Sequence, residues 1–407
     1  MYIQYILSIL YVYLMERAEG GREPLYVVFL DWEKAFDRVK QDKLIEALER
    51  MEFPPAFLGA IKSLYDEPTF AVRVGGTESS WKKQARGIRQ GCPLSPYLFI
   101  ILMTVLFRDV HSELNMSRGK LEGLDFTELI YADDTALITN NVNAMNRLVA
   151  KIEEHAAYYG LNFNKGKCVS MHFHAPGRPR FPNGEFIKEV DEAVYLGGVI
   201  SKKHDTRREV AGKISSCFVV LSRLNAFWFK SNCPKRFKLN VLDAVIRSKL
   251  VYGLEAIQLP QSLLMKLDTF QLKGLRKILG FDTTFVNRSN TNKHVFETAN
   301  QICNPLHKPD KYIKTFSHYV LNRQEALLKH TVRASNADPL RQVTLIPDTS
   351  IPRIIENRRV GRPRDHWAYN TLERMYVKYG FGTKTAFKNN ITTSCRFLET
   401  RIRNRII

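Results

Sequence analysis

Cysteine is scarce: six in 407 residues (Cys92, Cys168, Cys217, Cys233, Cys303 and Cys395), with no C-x-x-C pair. That excludes a disulfide scaffold, argues against a standard zinc module and points to a reducing compartment. Long apolar runs are also missing. The opening segment, Met1 to Leu14, is too short to span a bilayer. It has no basic leader, since the first basic residue is Arg17, and no clear small-residue cleavage site. Its apolar residues Ile3, Ile6, Leu7, Leu10 and Leu14 recur at helical spacing, so a core-facing helix is expected rather than a membrane anchor or signal peptide. There is no internal repeat.

Acidic residues run short in one half only. Residues 1–200 hold 23 Lys+Arg and 26 Asp+Glu, whereas residues 201–407 hold 38 and 15, for a net charge of +20 and a pI of about 9.6. With 44% hydrophobic and 25% charged residues, the chain is neither disordered nor embedded in a membrane. A near-neutral front half joined to a strongly basic back half suggests a working core with a grip on a polyanion. A merely solvated basic surface is the alternative.

Elements follow from pattern. Leu25 to Leu30 is a β-rich apolar run suited to a buried strand, ended by Asp31. A helix is expected over Lys34 to Met51, a short hairpin over 70–86 around Gly75-Gly76, and a long apolar helix over Pro93 to His111. Leu129 to Ile138 is apolar on both sides of Asp133-Asp134, which predicts a hairpin turning at the acids. A helix from Val142 to Tyr159 stops at Gly160. Strands are expected near Cys168 to Phe173 and near Ala193 to Ile200. The order strand, helix, hairpin, helix, strand is the split βαβ, ferredoxin-like plan, and it sets the first strand's end beside the hairpin tip. The basic half reads as helices over 235–251, 262–279, 312–330 and 366–379. Residues 334–365 read as a linker or extended arm.

Asp31, Asp133 and Asp134 each interrupt an apolar run, and charges at a sheet edge need compensating cations. Oxygen ligands without nearby His or Cys favour Mg²⁺ over zinc. Two such ions would stabilise the attacking and leaving oxygens of phosphoryl transfer. An Asp-Asp pair is also a good turn, and that plain reading stands until other segments are considered.

Five segments occur in one order: Val28 to Val39 around Asp31, Arg89 to Phe99, Tyr131-Ala-Asp-Asp134, Gly160 to Lys167, and Tyr195-Leu-Gly197. Over about residues 5–280 this series closely resembles the reverse transcriptases of non-LTR (LINE-type) retrotransposons. The resemblance implies an α+β fold: a right-hand polymerase palm with a ferredoxin-like core, then a helical thumb and a basic, mostly helical C-terminal region. It implies the following boundaries: 1–24 residual fingers, 25–200 palm, 201–285 thumb and 286–407 basic region.

The resemblance further implies that Asp31 and Asp133 are ligands bridging two Mg²⁺ ions (Mn²⁺ a possible substitute), with Asp134 completing the acidic cluster. Phe36 matches the bulky residue under the sugar that excludes a 2′-OH, although an aromatic there is otherwise ordinary core. Gln90 and Gly91 match the turn against the incoming nucleotide, with Arg89 either aiding phosphate or standing as a solvated loop residue. Lys167 matches the lysine near the pyrophosphate leaving group, with Lys165 its competitor. Tyr195, Leu196 and Gly197 match the turn that holds the primer end. RNA template, DNA primer and dNTP are the implied partners, in cytoplasm or nucleus, with no membrane and no secretion. Only 30 residues precede Asp31, so the expectation is a reverse transcriptase truncated at its fingers, the alternative being an inactive remnant that binds RNA or DNA.

In the basic half, Lys202, Lys203, Arg207, Arg208, Lys213, Lys230, Lys235, Arg236 and Lys238 suggest sequence-independent phosphate contact. Phe227-Trp-Phe229 reads as hydrophobic core, with base stacking the alternative. Arg358 to Arg364, with Gly-Arg-Pro between basic residues, fits an AT-rich minor groove or a plain extended arm. Cys303, His307 and His318 do not complete a metal site. His172 and His174 read as structural, and Cys92 has no partner pattern for a nucleophile.

Overall fold

The computed structural model describes residues 24–114, 120, 124–202, 206–305, 312–353 and 367–406. The expected opening helix, Lys203, His307 and the 358–364 segment lie outside them. The chain divides into two compact units at Lys202.

In the front unit β1 (Leu25–Leu30) is buried at all six positions. It is followed by α1 (Ala35–Arg38), α2 (Gln41–Arg50) and α3 (Pro55–Leu64). Two small ladders come next, β2 (Thr69–Phe70) with β5 (Lys82–Lys83) and β3 (Arg73–Val74) with β4 (Thr77–Glu78). Then come α4 (Ser95–Glu113), β6 (Glu128–Tyr131), β7 (Asp134–Thr139), α5 (Val142–Tyr158), β8 (Val169–Phe173) and β9 (Lys188–Glu189). The hairpin of β10 (Glu192–Tyr195) and β11 (Gly198–Ser201) closes the unit.

The main sheet has the order β6-β7-β1-β8-β9. β1 pairs antiparallel with both β7 and β8, so it is flanked on both edges. Its unalternating apolar sequence is what a central, doubly covered strand requires. Phe99, Leu102 and Leu106 of α4 and Met145, Leu148 and Ile152 of α5 pack in one core with Val28, Leu30 and Leu137. Asn141 caps α5, its side chain accepting from the amides of Asn143 and Ala144.

Two expectations change here. The helix expected over 34–51 breaks at Val39-Lys40. The Val39 carbonyl accepts from Gly87 N at 2.7 Å, and Lys40 N donates to the Tyr159 carbonyl at 3.0 Å. Backbone groups committed to neighbouring segments cannot serve a helix ladder. The strand expected over 193–200 is instead the β10–β11 hairpin, a separate two-stranded sheet. It reverses at Leu196 (φ 48°) and Gly197 (φ 74°), both left-handed, as a type I′ turn demands.

The second unit is helical: α6 (Thr206–Arg223), α7 (Asn225–Lys230), α8 (Lys235–Val241), a π-helical segment (Leu242–Arg247), α9 (Ser248–Val251), α10 (Gln261–Leu279), α11 (Asn292–Cys303), α12 (Phe316–Arg333), α13 (Pro339–Thr344), α14 (Trp367–Lys378), α15 (Lys384–Asn389) and α16 (Ile391–Arg403). Helices on both sides of residue 285 belong to this unit. Gln271 of α10 accepts from Phe316 N at 2.8 Å, and Asp268 accepts from Ser317 N at 2.8 Å, joining α10 to α12. The described part of the expected linker, 334–353, is also ordered. Asp338 caps α13, and buried Arg341 donates to the carbonyls of Val332 and Thr349, both at 2.9 Å. A buried arginine supplies order that apolar periodicity did not signal. No helix among the described residues is long and apolar enough to cross a membrane.

Candidate active site

The site is built by strand register. In the β1–β7 ladder Leu30 faces Thr135, so the next position on each strand brings Asp31 beside Asp134. β6 and β7 pair Tyr131 with Asp134, leaving Ala132 and Asp133 as a two-residue tip. Ala132 takes φ 53° there, a left-handed conformation for which glycine is the easier residue. All three carboxylates therefore stand at one end of the sheet.

Among the described residues no Lys, Arg or His lies in salt-bridge range of any of the three. Burial of its carboxyl, then the charges of Asp133 and Asp31, holds Asp134 above the ordinary carboxylate range. An oxygen-only, mutually repelling set suits a hard divalent cation. However, no group of three or more His, Cys, Asp or Glu among the described residues is gathered closely enough to hold a metal ion. The donor chemistry fits, while the set is not drawn together.

Asp31 is fixed by its backbone. Its N–H donates to Cys168 Sγ at 3.4 Å, and its carbonyl accepts from Asn164 N at 2.8 Å. Burial pushes the Cys168 thiol up to about 11, so it stays a neutral thiol. Beyond Asp31, Trp32 bridges Phe163 and donates Nε1–H to Thr135 Oγ1 at 3.2 Å. Between the pairs Phe29–Val169 and Trp32–Phe163, residues 164–168 bulge out opposite Leu30 and Asp31. Lys167 lies on that bulge, exposed and without a side-chain partner among the described residues. Lys165, its competitor in the sequence, is taken by Glu153 at 2.9 Å and lies 5.0 Å from the Phe181 ring.

Phe36 is half-buried and stacks on Phe99 with ring centroids 4.8 Å apart. The Gln90-Gly91 turn is tied to the same segment, because Gln90 Nε2 donates to Asp37 Oδ1 at 2.8 Å. Gly91 (φ 85°) faces open space, whereas a Cβ on Gly87 (φ 90°) would lie 2.8 Å from the Asp37 carbonyl oxygen. Arg89 Nη2 donates to the Leu64 carbonyl at 3.0 Å, which orients it as part of the loop. Asp37, Gly87 and Cys168 were not singled out from sequence. A polar residue six positions after Asp31 and a lone glycine in a loop carry no signal until the fold shows what they touch.

Tyr195 is buried against Phe29, with centroids 5.0 Å apart. Its hydroxyl lies 3.2 Å from the Asp134 carbonyl and 3.3 Å from that of Leu129. Burial and then the Asp134 charge raise its phenol well above the usual range.

The expected phosphate grip is thinner than its residue count. Lys202 pairs with Glu189 at 2.6 Å, and Lys213 Nζ donates to the Tyr252 carbonyl at 2.8 Å. Lys235 donates to the Leu279 carbonyl, and buried Lys238 closes α7 by donating to the carbonyls of Trp228 and Ser231. The Phe227-Trp-Phe229 triplet splits: Trp228 is core, while Phe229 is exposed.

Residues 11–200 match the family described as Reverse transcriptase (RNA-dependent DNA polymerase), and this stretch is a reverse transcriptase domain. The chain is similar to curated polymerases of retrotransposons. It is 27% identical over 278 residues to the RNA-directed DNA polymerase from mobile element jockey of Drosophila melanogaster, covering 65% of this chain and 29% of that one. It is 31% identical over 159 residues to the Pol polyprotein from retrotransposable element R2 of Nasonia vitripennis, covering 39% and 15%. The chain thus spans a third or less of those relatives' lengths. A solved telomerase from Candida tropicalis aligns over 84% of this chain and 52% of its own, at 15% identity and a TM-score of 0.38. That likeness is too loose to carry more. Reverse transcriptases as a family use divalent metal ions.

Proposed function

We propose that this chain is an RNA-directed DNA polymerase that joins a dNTP to a DNA primer 3′-OH along an RNA template. The observation that carries the reading is the placement of Asp31, Asp133 and Asp134 at one sheet end, without a counter-cation among the described residues, inside a reverse transcriptase domain. In this reading the front unit is the palm, its β1-α4-β6-β7-α5-β8 core the ferredoxin-like one, and the helices that begin the second unit are the thumb.

Asp31, Asp133 and Asp134 would hold two Mg²⁺ ions. Bound there, such ions supply a lowered hydroxyl pKa and neutralisation of charge developing on the phosphoryl oxygens. The side chains do the rest. Phe36, backed by Phe99, presents a flat wall under the sugar and rejects a 2′-OH by sterics. Gln90 and Gly91 let the backbone approach the nucleotide. Lys167 faces the leaving pyrophosphate as a cation and proton donor. Tyr195, Leu196 and Gly197 hold the primer end near Asp134. Such a protein works in cytoplasm or nucleus, where its RNA and DNA are.

Primer extension on an RNA template with Mg²⁺, comparing the chain with Asp133→Ala, tests the reading. Extension that disappears in Asp133→Ala supports it. One observation favours a second reading, a remnant that binds nucleic acid without turnover: no metal-holding trio is drawn together among the described residues. RNA retention without extension by either protein selects that reading.

A further inference from the structure

The helical unit has an end whose aromatic side chains face solvent. Phe229 is 64% exposed, Phe237 53% and Phe285 97%. They belong to neighbouring segments. Lys277, near the end of α10, lies 5.4 Å from the Phe229 ring, and Lys235, at the start of α8, donates to the Leu279 carbonyl at 2.9 Å. Phe237 on α8 meets Phe227 on α7 edge-on. Loop 280–291 leaves α10 at this same end.

That loop is firmly built. Asn287 N donates to the Thr283 carbonyl at 3.0 Å, and buried Asn290 donates Nδ2–H to the Asp282 carbonyl at 3.1 Å. Arg276 donates to the Asn290 carbonyl and to Asn292 Oδ1. A loop ordered this way around a fully exposed phenylalanine presents that ring rather than failing to bury it. Scattered surface aromatics need no explanation, but three at one end do.

The charge identifies the partner. Residues 225–240 contain four basic and no acidic residues, and residues 273–293 contain five basic residues and Asp282. Lys230, Arg236 and Arg288 are exposed and carry no ion pair among the described residues. Protein interfaces deplete lysine at their cores. Aromatic faces interleaved with cations and nearly free of acids instead match bases stacking while phosphates pair.

We propose that this end of the helical unit is a platform for single-stranded nucleic acid, with Phe229, Phe237 and Phe285 stacking on bases and Lys230, Arg236 and Arg288 meeting phosphates. It belongs to the helical unit, whereas the acidic site belongs to the front unit. The strand's path need not follow base identity, because every base offers a π-face.

Fluorescence anisotropy of the full chain with a labelled 20-nucleotide RNA, and with the matching single-stranded DNA, tests this. The buffer holds neither nucleotide nor divalent cation, so the result stands apart from whether the chain extends a primer. Phe229→Ser and Phe285→Ser should each weaken binding about 10-fold. Phe186→Ser should leave binding unchanged; it removes another exposed ring, 5.2 Å from Arg178. Lys230→Gln with Arg236→Gln should flatten the slope of log K against log[salt] by about 1.4. Loss with RNA alone or DNA alone supports the platform and names its strand. Serine variants that bind both oligonucleotides like the parent, or lose no more than Phe186→Ser, overturn it, even if the salt slope falls.

Discussion

The hydroxyl of Tyr195 lies 3.2 Å from the backbone carbonyl of Asp134, joining the tip of one hairpin to the flank of another. The two acids at the first tip and the Leu196-Gly197 turn at the second are therefore positioned together. Tyr195→Phe keeps the ring against Phe29 and removes only the donor. It should destabilise the front unit by about 1 kcal/mol. Primer extension should fall more than that loss of folded protein explains, read as rate per folded molecule by circular dichroism and extension on the same sample. An unchanged rate would mean that the two hairpins are held together without this bond.

Gly87 and Gly91 separate strain from contact. Both have positive φ, and an L side chain there costs roughly 1–2 kcal/mol. Gly91→Ala should lose about that much, because nothing crowds the new methyl. Gly87→Ala must also push away the Asp37 backbone, so its denaturation midpoint should fall further. Equal midpoints would show that the loop yields freely.

Asp134 carries a raised carboxyl pKa, which fixes the sign of a pH effect. Its charged form weakens the fold above its raised pKa, and the penalty disappears once pH falls below the ordinary carboxylate value. In EDTA, Asp134→Asn should therefore raise Tm at pH 7 and leave it nearly unchanged at pH 3. A variant melting lower at pH 7 would show that the carboxylate is compensated after all.

Glu325 behaves in the opposite sense. Burial alone would raise its carboxyl, but hydrogen bonds from Lys378, Tyr379 and Lys329 outweigh this and hold it at about 2. The stability it contributes is present above the ordinary carboxylate pKa and is lost as pH falls towards 2. It amounts to roughly 3 kcal/mol. Glu325→Gln should lower the helical unit's stability by about that amount at pH 7 and by little near pH 2, followed by urea titration across pH. A pH-independent difference would make the α12–α14 contact one of packing alone.

Much of the site was legible because its acids interrupt apolar runs. Asp31 follows six apolar residues and Asp133-Asp134 divides two strands, so the pattern draws the eye to them, although a plain turn explains the pair until the other segments are read with it. Tyr195 needed more, since its role rests on a carbonyl 61 positions away. Sequence favours Lys167, with Lys165 its competitor two positions away, and the pairing of Lys165 with Glu153 was not visible there. The basic half was least legible. Lys238 looks like any surface lysine, yet it is buried and closes α7. The α13 helix was hidden because it is only six residues long: Leu340 and Val343 are buried on it, and Arg341 ties it to neighbouring carbonyls.

β1 is paired along both edges and buried at every residue, while the tip at Ala132 and Asp133 is paired to neither neighbour. In hydrogen-exchange terms, the amides of β1 should open only with the whole front unit, and those of the tip should open locally. Asp31, one residue past β1, is anchored through its carbonyl by Asn164 N, whereas Asp133 sits on the unpaired tip. The three acids thus stand where a strand end paired on both edges faces an unpaired hairpin tip.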